Sequence, residues 1–311
     1  MHGLPLVTGA TGFAGGHLVD RLTAGGRSVN ALARAGGHAR TERAGVRWFA
    51  VDLLDRAAVR AVLEEARPSV IYHCAGFADV HAASNAPAHA LRLNVIGTHH
   101  LLESCRDARL ACRVVVTGSA LIYRQRGEAI SEEDDIAPAN AYGVSKLAQE
   151  MTARTSGVPV LLARPFNHAG PRQTPAFATS AFAQQIARIE RGLAEPVLRV
   201  GNLEARRDLT DVRDTVRAYE ALAERGVPLR PYNVCSGQAY RMRDLLDLLL
   251  SLARVRVRID VDPARLRPSD NPLVLGSHAR LTAETGWRPE IPIERTMADV
   301  LEYWRAHEAP R

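Results

Sequence analysis

A tyrosine and a lysine four residues apart form the pattern with the clearest chemistry in this sequence. Tyr142 and Lys146 begin and end the run YGVSK, and this spacing puts both side chains on one face of a helix. An ammonium beside a phenol favours the phenolate, so we expect the pKa of Tyr142 to fall from about 10. Such a tyrosine can exchange a proton with a substrate oxygen while a hydride moves. The pair therefore predicts oxidation or reduction at a carbon–oxygen bond.

A third polar side chain, Ser119, is predicted to join this pair. It follows Arg113–Thr117, an apolar, β-branched stretch that is typical of a buried parallel strand. Doubly wound sheets bind ligands at the carboxyl ends of such strands. We therefore predict that Ser119, Tyr142 and Lys146 are catalytic, with the Ser119 hydroxyl bonding the reacting oxygen. The alternative for Ser119 is a turn in which its hydroxyl serves only the backbone.

A glycine-rich turn near the start of the chain predicts a dinucleotide site. The run GATGFAG, from Gly9 to Gly15, lies between a short apolar strand at residues 4–8 and a helix at residues 14–24. Glycines let the backbone approach a pyrophosphate, and the N-terminus of the helix supplies N–H donors and partial positive charge. We predict a nicotinamide cofactor here. Its expected contacts in the turn are Gly9, Thr11, Gly12, Phe13, Ala14 and Gly15.

The residue after the second predicted strand, Val29–Ala33, bears on the choice between the two nicotinamide cofactors. An acidic side chain there would bind the ribose hydroxyls of NAD, whereas arginine accommodates the 2′-phosphate of NADP. This chain has Arg34, with Arg40 and Arg43 beyond it. The sequence therefore favours NADP(H) over NAD(H), with a solvated surface arginine as the alternative. The other predicted cofactor contacts are Asp52, Leu53, Ala75, Gly76, Asn94, Thr117, Tyr142, Lys146 and Pro165.

The composition narrows the class of protein. The chain has 311 residues, 46% hydrophobic and 24% charged, which are ordinary values for a globular protein. No apolar run is long enough to span a membrane and no signal-peptide pattern opens the chain, so we expect a cytoplasmic protein. The four cysteines lack zinc-ligand spacing, so we predict free thiols and no metal site. The net charge of +6 suits an anionic small substrate without nucleic acid.

Lysine usage in the chain is unusual. Only one of the 40 lysines and arginines is a lysine, and it is Lys146. A guanidinium differs from an ammonium in donor geometry, hydration and pKa. We therefore expect that arginine cannot replace lysine at this position.

Apolar strands alternate with helices through the first half of the chain, which predicts an α/β fold with a doubly wound parallel (Rossmann) sheet. Beyond Pro165 the pattern becomes irregular. We predict a cofactor-binding domain of residues 1–165 plus about 209–235, and a smaller substrate-binding lobe of about 166–208 plus 236–311. The remaining expected strands are 46–51, 70–74, 159–163 and 232–234. The remaining expected helices are Arg56–Ala66, 88–105, one that carries Tyr142, 242–253 and 293–306.

Together these motifs resemble the extended short-chain dehydrogenase/reductase family, also called the NAD-dependent epimerase/dehydratase family. The resemblance covers almost the whole chain and rests on the glycine turn, Asp52-Leu53, NVIGT from Asn94, Ser119, YGVSK and RPFNH from Arg164. Within the family, the sequence is most similar to the GDP-4-keto-6-deoxy-mannose reductases. That similarity lies in RPFNHAGP, VGNLEARRD from Val200, the TDVRD that follows it, and RLRPSD from Arg265.

The resemblance implies a nucleotide-diphosphate sugar as substrate. It implies that Arg207 and Arg267 clamp the diphosphate and that Asn167 contacts it, and bidentate arginine–phosphate bonding gives a physical reason for the clamp. Ser119 would contact the sugar. The resemblance also implies a homodimer, formed through the helices near 88–105 and 142–155.

The resemblance also bears on the reaction. Dehydratases of this family carry an Asp-Glu or Ser-Glu pair directly after the serine or threonine, and its carboxylate removes and returns a proton. This chain has Ala120-Leu121 there, and neither side chain is an acid or a base, so a dehydratase is not expected. Arg124, Arg172 and Cys235 stand where the family usually has glycine, which affects the expected shape of the substrate pocket.

Three functions are compatible with these motifs. The first is an NAD(P)H-dependent reductase that delivers hydride to C4 of GDP-4-keto-6-deoxy-mannose, giving GDP-rhamnose or its C4 epimer, with Tyr142 as proton donor. The second is a sugar-nucleotide 4-epimerase that retains its NAD and returns the hydride to the other face. The third is a non-catalytic NADP-sensing protein, against which the intact Ser119, Tyr142 and Lys146 argue.

Overall fold

Strands and helices alternate along the chain. The structure, a computed structural model, describes residues 3–34, 43–266 and 271–308. Its strands are β1 (Leu6–Thr8), β2 (Val29–Ala33), β3 (Val46–Ala50), β4 (Val70–His73), β5 (Arg113–Thr117), β6 (Ala129–Ile130), β7 (Val160–Pro165), β8 (Asn167–Ala169), β9 (Val197–Val200), β10 (Arg206–Asp211), β11 (Pro231–Val234), β12 (Ala239–Arg241), β13 (Arg258–Val261) and β14 (Leu273–Gly276). Its α-helices are α1 (Phe13–Ala24), α2 (Arg56–Ala66), α3 (Val80–Asn85), α4 (Pro87–Leu91), α5 (Gly97–Asp107), α6 (Ala141–Arg154), α7 (Ala178–Glu190), α8 (Val212–Arg225), α9 (Met242–Ser251), α10 (Ala279–Thr285) and α11 (Ile293–His307).

Seven strands form one parallel sheet in the order β11-β7-β5-β4-β1-β2-β3. The chain builds this sheet outwards from β1 in both directions, which confirms the predicted doubly wound α/β fold. Leu18 of α1 and Leu222 of α8 lie in the core on one face, and Leu63 of α2 and Leu101 of α5 lie in the core on the other. Because both faces are covered, the central strands are apolar on both sides.

The helix predicted at 88–105 is divided. α4 begins at Pro87, and a π-helical turn, Arg92–Ile96, separates α4 from α5. Proline fits the first turn of a helix because its missing N–H needs no partner there. The π-turn aims Asn94 at the loop after β4, where its side chain bonds both backbone groups of Phe77. The spacing of apolar residues does not reveal a π-turn within a helix, so the sequence did not predict this division. It did not predict α3 either.

The other predicted elements differ little from those observed. β2, β5 and α2 have the predicted bounds, and β1, β3, β4, β7, β11, α1, α9 and α11 differ by one or two residues at their ends. β1 begins two residues late, after Pro5, because proline cannot donate to a strand ladder.

The chain beyond β7 contributes smaller sheets that the sequence did not predict. β12-β10-β14-β6 form one sheet with β8 paired to β10, and β9 pairs with β13. Asp208 of β10 is fully buried and accepts hydrogen bonds from the backbone N–H groups of Ser236, Gly237 and Gly276 at 2.8, 3.0 and 3.1 Å. α8 and β11 then return to the main sheet, where β11 pairs with β7. The division of the chain into two domains stays a prediction.

Predictions from the composition concern the cysteines, membrane-spanning helices and metal sites. All four cysteines are free, and Cys74 is the one that is partly exposed. Across residues 3–34, 43–266 and 271–308, no helix is long and apolar enough to cross a membrane. The same residues hold no group of three or more His, Cys, Asp or Glu side chains arranged to share a metal ion.

A buried ion pair fixes α6 against the sheet. The side chains of Arg164 on β7 and Glu150 on α6 are 2% and 3% exposed. Arg164 donates to the two carboxylate oxygens of Glu150 at 2.9 and 2.6 Å and to the hydroxyl of Tyr123 at 2.6 Å. Burial alone would raise the pKa of Glu150, but Arg164 and Arg154 reverse this and lower it. α6 carries Tyr142 and Lys146, so this pair sets their distance from the sheet.

Removal of the Glu150 carboxylate should destabilise the protein strongly. Glu150→Ala leaves the buried Arg164 guanidinium unpaired, and such a loss lowers the free energy of unfolding by about 3 kcal/mol or more. Denaturant unfolding measures this. The control is Glu64→Ala, which removes an exposed helical pair with Arg60 and should change stability far less. Equal effects of the two substitutions would contradict the structural role of the pair.

Candidate active site

A cavity of about 490 Å³ lies at the carboxyl ends of the strands of the main sheet. Most of the predicted site residues lie on its wall. Those that line it are Gly9, Thr11, Gly12, Phe13, Ala14, Gly15, Arg34, Asp52, Leu53, Ala75, Gly76, Thr117, Ser119, Tyr142, Lys146, Pro165 and Asn167. Asn94 and Arg207 do not line it, and Arg267 lies outside the described residues. The topology thus brings three of the predicted groups, the glycine turn, the cofactor contacts and the catalytic residues, to one cavity.

The glycine turn is shaped to receive a pyrophosphate. Gly9 has a φ of +65°, and a Cβ on Gly15 would lie 2.2 Å from the carbonyl oxygen of Gly9. Side chains at these positions would therefore open the turn. α1 starts at Phe13, within this run, with no side-chain cap and no acidic residue in its first turn. Its first N–H groups lack helical partners and favour an anion, so these residues fit a dinucleotide.

The predicted arginines at the adenosine end take different places. Arg34 is exposed and lines the cavity just after β2. Arg43 pairs instead with Asp20 of α1, which also pairs with Arg172, and Arg40 lies outside the described residues. Arg172 has a positive φ of 74°, a backbone region that favours glycine. Of the predicted arginines that the structure describes, Arg34 is thus the one placed to meet a 2′-phosphate.

Tyr142 is buried in the cavity wall, and only 8% of its surface is exposed. Burial raises the pKa of Tyr142 to about 12, and a hydrogen bond with Ser119 opposes this rise. The expected lowering by Lys146 was wrong, because burial outweighs other influences and the ammonium bonds elsewhere. Tyr142 therefore keeps its proton at neutral pH, which is the state that a proton donor needs.

Lys146 is 5% exposed and its ammonium is held by uncharged oxygens. Its Nζ donates to the backbone oxygen of Thr117 at 2.8 Å and to Oε1 of Gln149 at 2.8 Å. Burial lowers the pKa of Lys146 to about 8. Gln149 was not predicted, although its spacing of three residues from Lys146 put it on the same helical face and could have identified it.

The hydroxyl of Ser119 has two roles. Its Oγ accepts the backbone N–H of Leu121 at 3.1 Å and so caps the short turn Ala120–Ile122, as the alternative interpretation had it. Acceptance leaves the hydroxyl proton unused, and the influence of this hydroxyl on Tyr142 lowers the pKa of the phenol. The capping bond therefore orients the group that would meet a substrate oxygen.

Asn94 lies behind the cavity wall rather than on it. Its Oδ1 accepts the N–H of Phe77 at 2.7 Å, and its Nδ2 donates to Oγ of Ser145 at 2.9 Å. A Cβ on Gly76 would lie 2.6 Å from this Oδ1. The π-turn directs Asn94 to join the loop after β4 to α6, and its role as a cofactor contact stays a prediction.

The cavity lining also includes residues that the sequence did not predict. Asn167 lines the cavity from β8, and the unpredicted lining residues include Phe77, Val80, Leu121, His168, Gln173, Phe177 and Val274. Arg207 pairs in register with Val274 on the neighbouring strand, and its guanidinium donates to the backbone oxygens of Arg206 and Asn271 at 2.9 and 2.7 Å. Arg207 therefore lies next to a lining residue without lining the cavity itself.

Acidic side chains are scarce in the cavity. Among the lining residues that the structure describes, Asp52 is the one carboxylate. It follows β3, four strand positions from β5, which is about 19 Å at the usual strand spacing. No described carboxylate of the lining therefore stands beside Tyr142 to remove a proton from a substrate carbon.

Comparisons with known proteins agree with this geometry. The model of the GDP-mannose 4,6 dehydratase family matches residues 6–300. The GDP-6-deoxy-D-mannose reductase of Pseudomonas aeruginosa is 40% identical over 246 residues, covering 77% of this chain and 81% of the relative. The structure of RMD from Pseudomonas aeruginosa complexed with NADPH has a TM-score of 0.87 and 35% identity, covering 98% of this chain and 100% of that one. The UDP-glucose 4-epimerase of Thermus thermophilus complexed with NAD has a TM-score of 0.85 and 28% identity, covering 98% and 99%.

Addition of one methyl group to the glycine turn should weaken cofactor binding. Gly15→Ala places its Cβ against the Gly9 carbonyl, so the turn must open, and we expect affinity for NADPH to fall about tenfold or more. Nicotinamide fluorescence measures the affinity. Gly25→Ala, just beyond the other end of α1, places its Cβ at an ordinary 3.5 Å from its neighbour and is the control. Unchanged affinity in Gly15→Ala would refute the assigned site.

Proposed function

The chain belongs to the GDP-mannose 4,6 dehydratase family, and from that premise we propose that it is an NAD(P)H-dependent reductase of a 4-keto-6-deoxy sugar nucleotide. The substrate would be GDP-4-keto-6-deoxy-mannose, reduced at C4 to GDP-rhamnose or its C4 epimer. The observation that carries this proposal is the convergence of Ser119, Tyr142 and Lys146 on one cavity with the glycine turn. The 40% identity to a GDP-6-deoxy-D-mannose reductase supports it.

The catalytic residues have distinct roles in this reaction. When bound, the reduced nicotinamide supplies a hydride for the C4 carbonyl carbon. Tyr142, protonated at neutral pH because burial raises its pKa to about 12, donates its proton to the C4 oxygen. Ser119 hydrogen-bonds that oxygen with the proton that its capping bond leaves unused. Lys146 turns its remaining N–H towards the cofactor and places positive charge beside the reaction.

The cofactor end favours NADPH. The glycine turn and the N-terminus of α1 bind the pyrophosphate, and the Arg34 guanidinium meets the 2′-phosphate. The structural neighbours include an NADPH complex and an NAD complex, which supports use of a nicotinamide dinucleotide in general. Arg34 is the residue of this chain that makes NADPH the preferred one.

The family takes its name from dehydratases, but this chain has the wrong residues for elimination of water. Elimination needs a base at the carbon that loses its proton. Ala120 and Leu121 stand beside Ser119, and Asp52 is the one described carboxylate of the cavity lining and follows β3. A reductase needs no such base, because Tyr142 supplies the single proton that reduction consumes.

A 4-epimerase is the second candidate, and the fold shared with the UDP-glucose 4-epimerase favours it. An epimerase uses the same three catalytic residues but first withdraws the hydroxyl proton and the hydride. That first step needs a tyrosine that loses its proton easily. The raised pKa of Tyr142 argues for the reductase instead.

A non-catalytic NADP sensor is the third candidate. It would not need the catalytic groups Ser119 and Tyr142.

The substrate nucleotide is proposed to lie where Asn167 and Val274 line the cavity. Arg207 lies on β10 in register with Val274. Together with Arg267, Arg207 would hold the diphosphate by bidentate bonding. In this proposal, the main sheet binds the cofactor, and residues 166–208 and 236–311 bind the sugar nucleotide.

We also propose a homodimer in the cytoplasm. Four large apolar side chains are exposed on α4, α6 and the π-turn that follows α4. They are Leu91 of α4, Ile96 of the π-turn, and Val144 and Met151 of α6, which are 39%, 42%, 47% and 54% exposed. Apolar side chains on two adjacent helices suit a symmetric interface in which the same face is used twice. Light scattering distinguishes this dimer from a monomer by its mass.

Nicotinamide absorbance tests the reaction directly. The protein is mixed with GDP-4-keto-6-deoxy-mannose and NADPH, and separately with NADH. We expect one cofactor oxidised for each substrate consumed, faster with NADPH than with NADH because of Arg34. Tyr142→Phe keeps the ring but lacks the proton, and it should lose at least about a hundredfold in kcat.

Two results would contradict the reductase. No oxidation by the unsubstituted protein, together with NAD released on denaturation, would indicate the epimerase. No turnover and no retained cofactor, with NADPH still binding, would indicate the sensor. Oxidation that persists in Tyr142→Phe would instead contradict the role of Tyr142 as the proton donor.

A further inference from the structure

The ammonium of Lys146 has three N–H donors, and the protein uses two of them. One bonds the Thr117 backbone oxygen at the end of β5, and one bonds Oε1 of Gln149, both at 2.8 Å. A tetrahedral ammonium with two donors fixed has one direction left for the third. Lys146 lines the cavity, so the third donor is available there. The Thr117 oxygen belongs to the strand and cannot turn, whereas the Gln149 acceptor depends on how its amide is held.

The Gln149 amide is held in one orientation. Gln149 is fully buried, and its Nε2 donates to Oγ1 of Thr98 at 2.9 Å. Thr98 gives its own hydroxyl proton to the backbone oxygen of Asn94 at 2.6 Å. Thr98 must therefore accept from the residue at 149, which places the amide nitrogen towards Thr98 and the amide oxygen towards Lys146.

The same logic continues into the sheet. Thr98 also lies 2.8 Å from Nε2 of His73, and since its proton is already used, His73 must be the donor. The other ring nitrogen, Nδ1, then accepts from Thr8 at 2.8 Å, and Thr8 accepts the N–H of Ala75 at 3.1 Å. Each proton in this chain of bonds therefore has a single position. Reversal of the Gln149 amide would place its NH₂ group against the Lys146 ammonium, two donors, and its oxygen against the Thr98 oxygen, two acceptors.

Among the residues that the structure describes, no charged partner neutralises Lys146. The described titratable groups that face it from the packed elements are His73 and Cys74 at the end of β4 and Tyr142 on its own helix. Burial lowers the pKa of His73 to about 3, raises the pKa of Cys74 to about 12 and raises that of Tyr142 to about 12. All three are neutral between pH 5 and 10 on these values. Lys146 is thus the member of this group that titrates in that range.

We propose that Gln149 is a positioning residue, whose buried amide aims the third N–H of Lys146 at the cofactor and holds the ammonium without neutralising it. A glutamate at this position would make a buried ion pair and keep Lys146 charged at all working pH values. An apolar residue would leave one N–H without an acceptor. The identity of the group that meets the third N–H rests on the proposed function, but the placement of Lys146 by Gln149 does not.

The lone lysine of the chain makes a direct test available. Protein without a lysine-containing tag, grown with lysine labelled with ¹³C at the ε carbon, shows one lysine side-chain resonance, from Lys146. Its chemical shift against pH gives the pKa of that side chain without substrate or turnover. The proteins compared are the unsubstituted chain, Gln149→Glu, Gln149→Leu and the control Gln185→Leu, whose amide bonds backbone groups of Ala181 and Arg199 outside the cavity.

The midpoints should separate in a fixed order. We expect about 8 for the unsubstituted chain, the same for Gln185→Leu, a rise of about one pH unit or more for Gln149→Glu and a fall for Gln149→Leu. A role of Gln149 in stability alone would leave the midpoint of folded Gln149→Glu unchanged, and that result would overturn the proposal. If Gln149→Leu does not fold, Gln149→Glu decides alone. A midpoint near about 10.4 in the unsubstituted protein would mean a solvated ammonium and would also overturn it.

Discussion

The burial of one ammonium among neutral oxygens is the constraint on which the rest of the site depends. Lys146 needs the Thr117 carbonyl at the end of β5 and the Gln149 amide one helical turn further along α6. Both are in reach only if α6 lies at a fixed height above the sheet. The Arg164–Glu150 ion pair fixes α6 against β7, and Asn94 joins its first turns to the loop after β4. Two direct hydrogen bonds and two supporting contacts of α6 thus hold one side chain in place.

The distribution of charge in the cavity keeps the phenol of Tyr142 in one protonation state. Burial keeps Tyr142 protonated, and the described lining carries its one carboxylate after β3, far from the phenol. A proton can then pass from Tyr142 to a substrate oxygen without competition from an acid nearby. The same cavity with a carboxylate beside Ser119 would suit elimination.

Sequence was sufficient for what local patterns specify. The doubly wound sheet, the glycine turn and the grouping of Ser119, Tyr142 and Lys146 follow from periodicity and spacing. Tertiary packing decided the rest. The π-turn that aims Asn94, the bond from Gln149 to Lys146 and the direction of the Tyr142 pKa depend on burial and on contacts between distant elements. The smaller sheets were not predicted because their strands pair across distant parts of the chain, as β6 does with β14 and β9 with β13, and local patterns do not specify such pairing.

The measurement that tests the account most directly is hydride transfer in Lys146→Arg, followed as NADPH oxidation in a single turnover. The substitution keeps the positive charge but replaces three tetrahedral donors with a planar fork. A guanidinium cannot bond Thr117 and Gln149 and also reach the cavity from the same buried space. The account predicts a rate at least about a hundredfold lower, with the protein still folded. A rate close to that of the unsubstituted protein would show that charge alone suffices, and would contradict the central role of the ammonium.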